Sequence, residues 1–163
     1  MAIDMIVTLK GKGVNERFSA ELDKFNAEAQ VVMIGALVGR VEKDALRPVI
    51  TKAVSSSNSE VRTLAIKLMG DIGDAIPTKI LVNIIETGKN DEEKQLSASS
   101  LWCLSGKNID AQIMKSMKTS SSRGKTRLIE ILRDRDASAV YELLVASSDE
   151  DANVRRAHYT NWN

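Results

Sequence analysis

Aromatic residues are scarce in this chain: Phe, Tyr and Trp together make up 4% of its 163 residues. A core must therefore be aliphatic, drawn from Leu, Ile, Val, Ala and six Met, and there is no interleaving of aromatics on which nucleic-acid bases could stack. Two prolines and nine glycines are too few for a β fold of many short strands and favour extended helical content. A lone cysteine, Cys103, excludes an intrachain disulfide and suits a reducing compartment. With a lone histidine, His158, beside it, no zinc ligand set can be assembled. No apolar run approaches the ~20 residues of a membrane span, and the opening stretch, MAIDMIVTLKGKG, has Asp4 rather than a basic region before its apolar residues. Neither sign of charge is in excess: 23 basic and 22 acidic residues leave +1, no global attraction to nucleic acid or to an anionic membrane. What these absences leave is a cytoplasmic soluble protein, sized for one domain with an aliphatic core.

What the sequence does contain is an internal period. Four segments align on Leu37, Leu68, Leu101 and Leu132, spaced by 31, 33 and 31 residues. The same spacing links Ile34, Ala65, Ala98 and Ile129, then Ala45, Ile76, Ile109 and Val140. It also links Val49, Ile80, Ile113 and Leu144, and beside them Ile50, Leu81, Met114 and Val145. Within a unit the apolar residues recur at helical spacing. In the second, Val61, Leu64, Ala65 and Leu68 make one stripe, and Ile76, Ile80, Leu81 and Ile84 another. GDIGDAIP lies between them as a stop and a start, with Pro77 suited to a first helical turn. Asn58-Ser59-Glu60 and Asn90-Asp91-Glu92-Glu93 place cap residues and acids just before a helix. Each unit is thus a short helical hairpin, too small to bury both faces alone, so units must stack.

The Val61-Arg62 start, the following Ala65 and Leu68 and the Gly-Asp break resemble HEAT-like (armadillo-type) repeats, over residues 27–147, with DANVRRA at 151–157 like the opening of a further unit. The third and fourth units depart from the pattern, with Lys94 and Lys125 in place of Val61 and no Pro opening the second helix. Tetratricopeptide landmarks are not met. The resemblance implies an all-α, right-handed α–α superhelix of about four hairpins, with repeats expected at 27–57, 58–89, 90–120 and 121–148 and a partial unit at 149–163. Residues 2–10 read equally as a helix or, through Ile3, Met5, Val7 and Leu9, as a strand; Phe18, Leu22 and Phe25 predict an extra helix over 14–25. Hairpin breaks are expected near Gly39 to Glu42, Gly70 to Asp74, Ser105 to Asn108 and Arg133 to Asp136. The chain stops at RRAHYTNWN without a recognisable polar cap, which leaves open a longer solenoid or end-to-end pairing.

The stretch TSSSRGKT, Thr119 to Thr126, ends like a phosphate-binding loop. Such a loop needs a buried strand before it, whereas IDAQIMKSMK has helical spacing and the first Gly is missing. It reads as a linker and a helix start. His158 has no catalytic partner beside it, and Cys103, in the column of Gly39 and Gly70, reads as a small buried thiol. The acidic runs at 91–93 and 149–151 suit helix starts rather than calcium. Basic residues on the second helices stand off the apolar columns: Arg47, Lys52, Lys79, Lys115 and Lys118. In stacked hairpins of this kind second helices line the concave side, so Arg47, Lys52, Lys79, Asn83, Gln112 and Lys115 are the expected partner surface, though a solvated face would look the same. The expected function is a non-catalytic scaffold for a protein partner, an acidic segment being one candidate, with no cofactor or metal. Three alternatives remain: a HEAT-like lyase or chromophore chaperone, a nucleic-acid-binding module, and a structural segment of a larger protein.

Overall fold

The computed structural model describes residues 13–38, 46–72, 75–106, 108–135 and 150–159. Among them every regular element is helical. The chain divides between Ile72 and Gly73 into two compact units, a division that falls inside the stretch 58–89 expected as the second repeat.

The first unit holds α1 (Val14–Glu21), a 3-10 turn (Leu22–Lys24), α2 (Ala27–Val38), α3 (Arg47–Ala53) and α4 (Ser59–Met69). The extra helix expected before the first repeat is α1 and its 3-10 continuation. Leu22 is buried at that turn, whereas Phe25 lies beyond it and is exposed. α1 packs on α3, α3 on α4, and α2 on α4, around Ile34, Leu37, Val49, Ile50, Val61, Ala65 and Met69. α3 has seven residues, too few to hold a helix alone, so its neighbours must hold it. The Ser19 hydroxyl donates to the Pro48 carbonyl at 3.0 Å, and Lys52 Nζ donates to the Ala20 carbonyl at 3.2 Å and pairs with Asp23 at 2.8 Å.

The second unit holds α5 (Ala75–Thr87), α6 (Asp91–Cys103), α7 (Ile109–Met117), α8 (Ser122–Asp134) and α9 (Ala152–Tyr159). α5 packs against α6, α7 and α8; α8 also meets α6, α7 and α9. Leu81, Leu101, Ile109, Ile113, Leu128, Ile129, Leu132 and Val154 form the aliphatic core. The α4 to α5 and α6 to α7 joints fall where breaks were expected, and α8 ends at Asp134; the break at 39–42 lies outside the described residues. Gly106 (φ 143°) and Asn108 (φ 69°) make the α6 to α7 turn, in backbone conformations that a glycine and an asparagine tolerate best.

A sixth column underlies the period. Asn26 Oδ1 accepts the Ala29 N–H at 2.9 Å; Asn58 Oδ1 accepts those of Glu60 and Val61 at 2.9 and 3.2 Å. Asn90 Oδ1 accepts the Glu93 N–H at 2.8 Å, Ser121 Oγ that of Gly124 at 3.1 Å, and Asp151 Oδ1 that of Asn153 at 2.7 Å. These positions, 26, 58, 90, 121 and 151, recur every 30 to 32 residues, and each satisfies amides that a helix start leaves without an intrahelical partner. Four residues after three of these caps a long side chain folds back on the preceding loop: Gln30 donates to the Phe25 carbonyl, Arg62 to those of Ser56 and Ser57, and Arg155 to that of Glu150.

Among the described residues the apolar columns hold with corrections, and of their members Ile80 and Met114 are half-buried. In α4 the buried set is Val61, Ala65, Ile66 and Met69, while Leu64 and Leu68 are half-buried; the helix is turned slightly from the expected stripe. Ile76 is 46% exposed whereas its counterpart Ile109 is 1% exposed; the buried residues at the start of α5 are Pro77 and Thr78. Ala45, Val140, Leu144 and Val145 lie outside the described residues.

Candidate functional site

The TSSSRGKT stretch resolves into the end of one helix and the beginning of the next. Ser121 caps α8, and Gly124, Lys125 and Thr126 lie in its first turns. Gly124 is buried, and a Cβ there would overlap the carboxylate of Glu86 from α5. Glu86 Oε2 accepts the Ser121 hydroxyl at 2.6 Å. A carboxylate already stands against this helix start, and what precedes it is the helix α7 rather than a strand. The geometry a phosphate loop requires is not there.

The six expected partner-surface residues divide between the units. Arg47 and Lys52 stand on α3, where Arg47 is half-buried and Lys52 is engaged with α1. Lys79 and Asn83 are exposed one turn apart on α5. On α7, which packs against α5, Gln112 is half-buried and Lys115 exposed. Lys118, just past α7, is exposed too. Lys79, Lys115 and Lys118 form no ion pair with any described residue. Of the acids nearby, Asp110 pairs with Arg135 at 2.6 Å, and Glu86 accepts the Ser121 hydroxyl on Oε2 while its Oε1 is buried without a hydrogen-bond partner.

Lys79 and Asn83 line a groove of about 500 Å³ between α5 and the end of α7. Its remaining wall takes in Val82 and the bonded Glu86 and Ser121, and hydroxyls from Thr87, Ser116, Thr119 and Ser120. These hydroxyls donate to backbone carbonyls: Thr87 to Asn83 at 2.9 Å, Ser116 to Gln112 at 2.9 Å, Thr119 and Ser120 to Ser116 at 3.3 and 3.0 Å. Reading for charge missed these four residues. Their signal was the spacing of Ser and Thr three or four residues after a helical carbonyl, where the side chain can bond back.

A second groove, of about 590 Å³, lies between α6 and α8 and is lined by Ala98, Trp102, Cys103, Ile131 and Asp134 among others. Trp102 is 52% exposed and its indole N–H donates to the Asp134 carbonyl at 3.0 Å. Cys103 is exposed here, which corrects its reading as a buried thiol. It is the last residue of α6, and Gly70, with which it aligns, likewise stands at a helix end. The side chain of His158 lies outside the described residues. Among the described residues no group of three or more His, Cys, Asp and Glu could hold a metal ion, and no helix is long and apolar enough to cross a membrane.

The family model for HEAT repeats matches residues 15–102, 88 of the 163 residues and drawn from both units. A search of curated proteins found no match.

Proposed function

The chain belongs to the HEAT-repeat family, and from that premise we propose that it is a non-catalytic interaction scaffold whose partner is another protein, bound on the α5 and α7 side of the second unit. Such repeats commonly serve as protein-interaction scaffolds and are generally non-catalytic. The observation that carries the placement is the set of three exposed lysines, Lys79 on α5 with Lys115 and Lys118 on and just past α7, that form no ion pair with a described residue; Lys79 also lines a groove. Surface lysines are ordinary; three that pair with no described acid, on helices that pack together, add positive charge to one side of a chain of net charge +1. Arg47 and Lys52 belong to the first unit, and Lys52 serves α3 there, so the proposed surface narrows to Lys79, Asn83, Gln112 and Lys115 with Lys118 beside them.

The test is affinity capture with the wild-type chain and with Lys79→Glu/Lys115→Glu, read by mass spectrometry. A protein retained by the wild type and lost by the variant, with helical signal and melting unchanged, is the expected result. Retention by both places the partner elsewhere, with the Trp102 groove next in line. A bound fraction that is nucleic acid rather than protein would overturn the reading.

A further inference from the structure

We infer that the groove between α6 and α8 receives one long basic side chain, arginine or lysine, from a partner polypeptide. It lies on a different pair of helices from the lysine surface proposed above and does not depend on that reading. Two bonds cross the groove and fix its length. Arg127 donates to Gln95 Oε1 at 2.8 Å, and the Trp102 indole N–H donates to the Asp134 carbonyl at 3.0 Å. Both pairs are 32 residues apart in sequence, so along each helix the two posts stand seven residues from one another, about 10 Å. A helix with its side chains is itself about 10 to 12 Å wide. The gap suits an inserted side chain.

The lining selects its chemistry. Ala98 and Ile131 are buried apolar residues, Trp102 is 52% exposed, and the charged residues are Glu130, Asp134 and Arg127. Arg127 already bonds Glu130 Oε2 as well as Gln95, and Asp134 bonds through Oδ1 to Arg133, which does not line the groove. Glu130 Oε1 and Asp134 Oδ2, one helical turn apart, receive no bond from a described residue. An apolar side chain would cover these carboxylates, 35% and 55% exposed, without offering them a donor. An acidic one would meet two carboxylates and one guanidinium that is already engaged. A basic one suits every wall. Its stem lies on Ala98 and Ile131, its charge meets the indole, the aromatic ring that best attracts a cation, and its N–H groups supply the two carboxylate oxygens. It also balances a lining that holds two negative groups and one positive.

The experiment is an NMR titration of the full chain, read at the Trp102 indole N–H and at the amides of Ser99, Cys103 and Ile131. The probes are four blocked pentapeptides, Gly-Gly-Xaa-Gly-Gly, in which Xaa is arginine, lysine, leucine or glutamate. The arginine and lysine peptides are expected to shift these signals saturably, and the other two to leave them in place. Trp102→Leu, read at the amides, should weaken the arginine peptide about threefold or more. Asp134→Asn, which keeps the carbonyl that holds the indole, should weaken it about twofold or more. Both variants should keep the helical signal. Leucine shifts equal to those of arginine would show an apolar slot and overturn the inference, as would shifts with glutamate. An arginine peptide bound as tightly by Asp134→Asn and Trp102→Leu as by the wild type would overturn it too, and so would silence at the groove with all four peptides.

Discussion

Arg135 spreads one guanidinium over four acceptors: Asp110 Oδ1 at 2.6 Å and the carbonyls of Leu101, Trp102 and Leu104 at 3.1, 2.8 and 2.6 Å. The end of α6 leaves carbonyls without intrahelical partners, and this side chain, 11% exposed, supplies the missing protons. Arg135→Met keeps the packing stem and removes the donors; chemical denaturation should show a loss of about 2 to 3 kcal/mol, more than any of the exposed lysines would cost. The run Arg133-Asp134-Arg135 shows a hairpin break in sequence, but not which arginine turns back, because its carbonyl partners lie 31 to 34 residues earlier. Gly124 is a parallel case. Its sequence neighbours suggested phosphate chemistry, and its actual role is to leave space for Glu86. Gly124→Ala should be close to neutral, since better helix propensity offsets the displaced Glu86 and its bond to Ser121. In a Glu86→Ala background the same change should stabilise by about 0.5 to 1 kcal/mol. Equal effects in both backgrounds, by thermal or urea melts, would remove Glu86 as the reason for the glycine.

The helices are where the sequence was most legible, and the reason is repetition. A column such as Ile34, Ala65, Ala98 and Ile129 is 1, 0, 2 and 1% exposed; the same inward position is written four times, so the pattern survives any single irregular residue. Start signals were legible at Asn58 and Asn90, where the cap is followed by acids, and less so at Asn26, where it follows an exposed phenylalanine. Asn58→Ala and Asn90→Ala should each cost about 1 kcal/mol and should add when combined, because the two caps lie in different units and share no partner. A calorimetric double mutant showing no more loss than either single change would mean that these caps are redundant. What periodicity could not convey is which polar residues are spent inside the molecule. Lys52 and Lys79 looked alike as basic residues off the apolar columns, yet Lys52 secures a seven-residue helix to α1 and Lys79 has no ion pair among the described residues. That difference depends on Ala20 and Asp23, which lie about thirty residues from Lys52, and no local pattern encodes it.

For the molecule as a whole, near-neutral net charge coexists with three exposed lysines that form no ion pair with a described residue, and these two facts make separable predictions. If the partner docks by charge, the wild-type complex should weaken steadily as salt rises, since exposed charges are screened within about 8 Å at physiological ionic strength. Lys79→Glu/Lys115→Glu should abolish that salt slope along with most of the binding. Lys52→Glu should behave oppositely, lowering the melting temperature while leaving affinity for the partner intact, measured by calorimetry on the folded fraction. The caps at 26, 58, 90, 121 and 151 carry a consequence for synthesis. At roughly 5 to 20 residues per second, each interval of 30 to 32 residues takes about 2 to 6 s to leave the ribosome, whereas helix formation needs about a microsecond. A start signal that lies within three residues of the amides it serves needs nothing downstream to act, so each helix can begin on the nascent chain before the next interval has been translated.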